Sequence, residues 1–202
     1  MTDKQDLQGD VAGLLLAAGG GRRLGGRPKA LLPHRGRLLV EHAAGVLRAA
    51  GCGRIHVVLG ARSDEVRERA RLDDCVLVDN PDWAAGMGSS LRAGLASLAG
   101  THVSAALVGL VDQPGIGPAA VARVLAAYED EKSLVSAAYE GVRGHPVLFG
   151  AAHWAGIAET ATGDRGARAY LAAHAAEIRL VECADVAEPY DIDTEADLSH
   201  LE

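Results

Sequence analysis

The chain has 202 residues, of which 49% are hydrophobic and 23% charged. That is enough to bury one sizeable core, and it excludes disorder for the chain as a whole. A formal net charge of −7 weighs against a general nucleic-acid binder, which would need a basic surface.

Residues 1–10 are polar and resemble no secretory signal, and they are expected to form a tail ahead of a single domain over 11–202. The apolar run 11–16 ends in glycines and reads as a buried strand. Residues 38–50 have helical apolar spacing and stop before Gly51, and 54–59 is a β-branched strand closed by Gly60. Ser63 is placed to cap a charged helix over 64–71. A strand at 75–78 runs into Asp79-Asn80-Pro81, a loop signal. Ser89 or Ser90 is placed to cap a helix over 91–98.

The strand at 105–111 ends in Asp112-Gln113-Pro114. Residues 118–128 read as helix, 134–139 and 146–149 as strands around a Gly141/Gly144 turn, 167–174 as helix, 178–181 as strand and 194–201 as a short helix. Alternation of strand and helix predicts a mainly parallel sheet with helices on both faces, and such sheets bind ligands at the carboxyl ends of their strands. Cys52, Cys75 and Cys183 lie far apart without a CxxC pair, so neither a disulfide framework nor a zinc site is expected. Three structural thiols in a reducing, cytoplasmic setting fit better. No apolar stretch reaches the roughly 18–20 residues of a membrane span.

The segment with most chemistry follows the first strand: Leu16-Ala17-Ala18-Gly19-Gly20-Gly21-Arg22-Arg23-Leu24-Gly25-Gly26-Arg27-Pro28-Lys29. Glycines let the backbone approach a ligand, and their N–H groups can cradle phosphate oxygens. From Arg22 to Arg37 there are six Lys/Arg residues and no acid, which in an acidic chain points to an anionic ligand. The P-loop motif fails because Gly26 is followed by Arg27-Pro28, and the dinucleotide fingerprint fails because Leu24 stands where its third glycine belongs.

The loop does resemble, position for position, the LAAG-x-G-x-R-x-G nucleotide loop, with its following Pro-Lys, of the sugar-phosphate and molybdenum-cofactor nucleotidyltransferases. Later segments resemble the cytidylyl branch of the MobA-like NTP transferase family: Asn80-Pro81-Asp82-Trp83-Ala84-Ala85-Gly86-Met87-Gly88-Ser89-Ser90-Leu91, Leu110-Val111-Asp112-Gln113-Pro114, Gly144-His145-Pro146-Val147, Gly163-Asp164-Arg165-Gly166-Ala167-Arg168 and Asp191-Ile192-Asp193-Thr194. The resemblance implies a Rossmann-like, glycosyltransferase-A-type α/β fold and Mg²⁺-dependent transfer of NMP, with release of pyrophosphate. CMP from CTP is the implied donor group, molybdopterin the implied acceptor and a molybdenum hydroxylase the implied downstream partner.

Lys29 and Arg23 are expected to neutralise charge on the phosphates. Asp112, at a strand end, is expected to hold Mg²⁺, although a turn or cap role is the competing reading. Asp193 is the candidate second ligand. Capping the last helix is its alternative, and Asp191 is its rival. Leu16, Ala17, Ala18, Gly19, Gly20, Gly21, Gly25 and Lys29, with Gly86, Met87, Gly88 and Ser89, are expected around the nucleotide. Ser90, Arg92, Gln113 and His145 are expected around the acceptor. Trp83 is as suited to packing as to function.

An ionised acceptor phosphate is already a nucleophile, so positioning and charge neutralisation carry the chemistry. Three alternatives stand beside this reading. One is a transferase with another base or acceptor. The second is an NAD(P)H oxidoreductase of the nicotine-blue type, since some relatives with these motifs are so described. The third is a non-catalytic cofactor-binding maturation factor.

Overall fold

The computed structural model describes residues 10–201. The expected tail therefore lies, except for Asp10, outside the described residues, and Asp10 accepts hydrogen bonds from the N–H groups of Ser104 and Ala105 at 2.8 and 3.3 Å.

Strand β1 (Val11–Leu16) is buried along its whole length and is the axis of the molecule. Its side chains alternate, as strand geometry requires: Val11 and Leu15 enter one core cluster, and Ala12, Leu14 and Leu16 enter the other. A small hairpin, β2 (Pro33–His34) and β3 (Arg37–Leu38), leads into α1 (Leu39–Ala49). Then come β4 (Ile55–Leu59), α2 (Ser63–Arg69), β5 (Cys75–Asp79), α3 (Met87–Leu98), β6 (Ala105–Leu110) and α4 (Pro118–Ala126). The chain continues through β7 (Leu134–Tyr139), β8 (Val142–Gly150), α5 (Trp154–Thr160), α6 (Arg168–Ala173) and β9 (Arg179–Glu182). It closes on a 3₁₀ segment, Glu195–Leu201.

The main sheet has seven strands in the order β5-β4-β1-β6-β8-β7-β9. Only β8 runs against the others, so the sheet is mixed and mainly parallel, as the strand–helix alternation predicts. One core cluster joins the sheet to α1, α2 and α4 through Leu39, Leu47, Val66 and Val121. The other joins it to α3, α5 and α6 through Leu91, Leu95, Ile157 and Leu171. Helices thus cover both faces.

Several boundaries differ from expectation for local reasons. Helix α3 starts at Met87, because Gly86 adopts φ 105° and turns the chain early. Ser89 and Ser90 consequently sit inside the first turn and do not cap it. Ser63 is the first residue of α2 rather than its cap; the cap position is held by Arg62 at φ 53°. Helix α5 is too short, at 7 residues, to leave a clear periodicity.

The β7–β8 turn is Glu140-Gly141, with φ 53° and 77°, the pair of left-handed residues that a two-residue hairpin needs. Farther along, the register jumps from Ser136↔Val147 to Ala137↔Gly144. His145 and Pro146 are therefore extra residues in β8. Bulges of this kind accommodate proline and re-aim side chains beside sites.

Candidate active site

Residues 16–18 are stitched to strand ends on both sides. The Leu16 carbonyl accepts from Val111 N–H (3.2 Å), Ala17 N–H donates to the Val58 carbonyl (3.0 Å), and Ala61 N–H donates to the Ala18 carbonyl (3.0 Å). From there the chain leaves the sheet as a glycine loop. Gly19 is exposed, with nothing within 4 Å of the place a Cβ would take. Gly21 is left-handed at φ 62°, and a Cβ there would lie 1.8 Å from the Arg27 carbonyl oxygen, so no other residue fits. The Gly21 carbonyl accepts from the N–H groups of Leu24 and Gly26 (2.9 and 3.0 Å), and fully buried Leu24 anchors the middle of the loop. The Trp83 ring packs beneath Gly20, where a Cβ would meet it at 2.9 Å. The Trp83 side chain also lies against Gly60.

The loop ends at Lys29, the first residue of a 3₁₀ turn (Lys29–Leu31) whose Ala30 and Leu31 are buried. Lys29 Nζ donates to Asp112 Oδ2 at 2.7 Å and to Asp193 Oδ1 at 2.5 Å, and its side chain is only 15% exposed. Burial by itself would lower the pKa of this ammonium. The two carboxylates, Asp112 foremost, outweigh burial and hold it above the ordinary lysine value.

Asp112 reaches this point because it follows β6 and the buried Val111. Its carbonyl also accepts from Ile192 N–H at 2.9 Å, and Ile192 is fully buried. That bond and that anchor pin the C-terminal strap across the end of the sheet and present Asp193 to Lys29. Arg23 Nη1 donates to Asp193 Oδ2 at 3.1 Å, and Arg27 pairs with Glu195, so the strap is also tied to the glycine loop.

The carboxylate that caps the final 3₁₀ segment belongs to Asp197, which accepts from the N–H groups of Asp193 and Thr194 (3.0 and 2.7 Å). Asp193 is thereby left to face Lys29 and Arg23. Asp191 is bonded instead to Gln113 Nε2 at 2.8 Å. Loss of hydration, then the like charges of Asp112 and Asp193, push the Asp191 carboxyl upward against that bond.

Beside Asp112 opens a cleft of about 570 Å³, lined by Gln113, Tyr139, Val142, Arg143, His145 and Glu188 among others. The bulge in β8 is what brings His145 to it. Burial drives the His145 imidazole down to about 4, with Asp112 pulling the other way, so the ring is neutral at physiological pH.

The residues expected around the acceptor fall in two places. Gln113 and His145 line this cleft. Ser90 is buried and accepts from Asn80 Nδ2 at 3.0 Å, and Arg92 bonds the Ala161 carbonyl.

Ser89 shares Asn80 Nδ2 at 2.9 Å and donates to the Asp82 and Gly86 carbonyls. Gly86 and Gly88 are glycines because residues 161–164 pass too close for a Cβ, at 2.5 and 2.8 Å, and Met87 packs on Gly166. Asn80, 4% exposed, organises this corner. In the sequence it reads only as a loop signal, and nothing there marks its hydrogen-bonding role. Arg143 and Tyr139 were likewise unmarked, since their place in the cleft depends on the hairpin.

The donor set at the loop mouth is two carboxylates converging on one cationic atom. Hard oxygen ligands of this number suit Mg²⁺ or Mn²⁺, which take one or two protein carboxylates and complete their shells with water and phosphate oxygens. No group of three or more His, Cys, Asp or Glu suited to a metal occurs among the described residues, so a denser protein cage is not on offer there.

A family model described as MobA-like NTP transferase domain matches residues 13–178. The nicotine blue oxidoreductase of Paenarthrobacter nicotinovorans is 43% identical over 192 residues, covering 91% of this chain and 92% of that protein. The molybdenum cofactor guanylyltransferase of Mesorhizobium japonicum is 31% identical over 140 residues, covering 69% of this chain and 65% of that one. Among solved structures, a Mycobacterium tuberculosis H37Rv protein in complex with manganese aligns with a TM-score of 0.76 at 28% identity, covering 95% of this chain and 97% of that one.

Proposed function

The chain belongs to the MobA-like NTP transferase family, and from that premise we propose that it transfers CMP from CTP to the phosphate of a molybdopterin-type acceptor, releasing pyrophosphate. The observation that carries this reading is Lys29 held between Asp112 and Asp193 at the mouth of the glycine loop. Phosphoryl and nucleotidyl transfer need an anion cradle, a cation to neutralise developing charge, and carboxylates for a divalent metal, all at one point.

In this scheme the glycine-loop amides from Gly19 to Gly25 hold the triphosphate, and Lys29 with Arg23 neutralises it. The Gly86–Ser89 turn lies toward the base, with Leu16, Ala17 and Ala18 as the floor. The acceptor occupies the cleft at Gln113 and His145, and Ser90 and Arg92, which lie apart from it, take no part in this scheme. An acceptor phosphate oxygen attacks the α-phosphorus in line, and the bond to the pyrophosphate oxygen breaks. Asp112 and Asp193 would hold Mg²⁺, which supplies Lewis-acid charge neutralisation and orientation when bound. The manganese complex of a similar protein supports a divalent cation. Transfer of CMP rather than GMP rests on the likeness of residues 80–168 to the cytidylyl branch, against the guanylyltransferase relative. We place the protein in the cytoplasm. Among the described residues no helix is long and apolar enough to cross a membrane.

A second reading is favoured by one observation, the 43% identity to a nicotine blue oxidoreductase. Hydride transfer between NAD(P)H and a dye gives no role to two carboxylates around a lysine, whereas metal-assisted nucleotidyl transfer uses all three. The deciding experiment incubates the protein with each of the four NTPs, Mg²⁺ and molybdopterin and measures pyrophosphate release, alongside NADH and NADPH oxidation with a quinoid dye. Pyrophosphate release with CTP above the other NTPs is expected. Dye reduction without pyrophosphate release replaces the transferase reading with the oxidoreductase one.

A further inference from the structure

Lys29 Nζ sits 2.7 Å from Asp112 Oδ2 and 2.5 Å from Asp193 Oδ1, the two oxygens best placed to take a divalent cation. A cationic atom and a metal cannot share that position. Side by side they would be like charges within a few ångströms in a largely covered site, where their repulsion is only weakly screened. We propose that Lys29 is a resident stand-in for the metal: its ammonium fills the cation position between Asp112 and Asp193 until a divalent ion displaces it toward the glycine loop. The inference rests on the reading that these carboxylates take a metal, and adds how binding there is regulated.

Three features of the site support it. Lys29 is only 15% exposed while Asp112 is 22% and Asp193 39% exposed, so the carboxylates are more open to solvent than the lysine between them. The side chain stands at the exit of the glycine loop, where the triphosphate is expected, so a displaced ammonium has anionic oxygens to move to. Arg23 also pairs with Asp193, but its side chain is 75% exposed, so it screens the carboxylate weakly and blocks nothing. Metal alone must evict Lys29 into a site with no replacement anion. Metal together with a triphosphate gives the ammonium a new partner. Binding of the two is therefore mutually reinforcing, and reciprocity requires that the metal strengthen triphosphate binding by the same factor.

The test uses Mn²⁺ alone, without nucleotide, followed by electron paramagnetic resonance of the free ion. Lys29→Gln is expected to bind Mn²⁺ roughly tenfold or more tightly than the wild type, since a competing unit charge is removed from a half-buried site. Arg23→Gln is expected to shift affinity by less than about threefold, because exposed pairs are weak. Asp112→Asn should remove binding in both the wild-type and Lys29→Gln backgrounds.

Equal Mn²⁺ affinity in wild type and Lys29→Gln, both abolished by Asp112→Asn, overturns the stand-in and leaves the metal site standing. So does an Arg23→Gln shift as large as that of Lys29→Gln, which would be a general charge effect. Absence of Mn²⁺ binding by every form, even with CTP added, overturns the metal reading and the inference together.

A second measurement needs no variant. Amine acetylation of Lys29 in the native protein, read by mass spectrometry against exposed Lys132, should rise when Mn²⁺ is added without nucleotide. Unchanged Lys29 labelling at saturating Mn²⁺ would show that the ammonium stays where it is.

Discussion

The two sides of the sheet solve different problems. On the parallel side, β5, β4, β1 and β6 carry the glycine loop, Lys29 and Asp112 on their carboxyl ends, and charge is met by charge: Lys29 with two carboxylates, Arg23 with Asp193, Arg27 with Glu195. On the side of β8, β7 and β9 the cleft is lined by a mixture of neutral groups, among them Gln113, Tyr139 and His145, with Arg143, Glu140 and Glu188. His145 is neutral, and the Tyr139 phenol is pushed well above its ordinary range chiefly by burial and donates to the His145 carbonyl at 2.7 Å. Under the proposed transfer, the first side would neutralise the triphosphate and the second would hold the acceptor.

The sharpest way to break this division is on the parallel side. Asp112→Asn should reduce metal-dependent pyrophosphate release by roughly 10³-fold or more while the glycine loop still binds nucleotide, because the carboxylate is lost and the backbone amides are not. Asp193→Asn should follow with a smaller loss. Its carboxylate is more exposed than that of Asp112 (39% against 22%), and Asp191 is close by to compensate in part. Turnover by Asp112→Asn within tenfold of wild type would remove the carboxylate from the chemistry.

Next in size is Lys29→Ala, expected to lower turnover by roughly 10²- to 10³-fold, the usual loss for one group that stabilises transition-state charge. The fold should survive, since the core beside it is made by Ala30 and Leu31. Near-normal pyrophosphate release from a folded Lys29→Ala protein would confine this residue to an electrostatic structural role.

The other side is addressed by Arg143→Gln. Arg143 is the one guanidinium lining the cleft, so its loss should raise the KM for a phosphorylated acceptor by roughly tenfold and leave the KM for the nucleotide unchanged. An equal rise in both would show that the cleft and the loop are one site for one ligand, as a dinucleotide would require.

The parallel side was also the legible one. Strand β1 and the glycine loop are consecutive in the chain, Asp112 joins them because β6 pairs in parallel with β1, and each carries a local signature: an apolar run, glycines, a carboxylate at a strand end. Asp193 was legible only as a candidate. That Asp193 and not Asp191 faces Lys29 follows from the long-range bond that anchors Ile192 to Asp112, which no spacing reveals, and from the local cap that Asp197 supplies. Arg143 and Tyr139 escaped notice because their places in the cleft follow from a β8 bulge, and the bonds that Asn80 makes to Ser89 and Ser90 depend on a buried corner. A bulge of two residues leaves no periodicity, and it moves every later side chain relative to the neighbouring strand. Ser89 and Ser90 looked like caps because serine before an apolar run usually is one; Gly86 started the helix earlier.

The smallest expected effect tests why His145 is neutral. In the unfolded chain its imidazole takes a proton as pH falls through about 6.5. In the folded chain burial holds it down to about 4. Between those values the unfolded state binds more protons, so the stability gained from a neutral His145 is complete above about pH 6.5 and is lost as pH falls toward 4. His145→Asn removes the titrating group but keeps a polar side chain. Denaturant melts of the variant should therefore decline less steeply from pH 6.5 to 4.5 than those of the wild type, by roughly 2 kcal/mol over that window. The depressed carboxyls of Glu182, Asp185 and Asp197 are present in both proteins and cancel in the difference. Parallel pH profiles would mean that His145 is solvated enough to titrate normally. It would then be able to share the acceptor's negative charge with Arg143, and the cleft would no longer differ from the loop in kind.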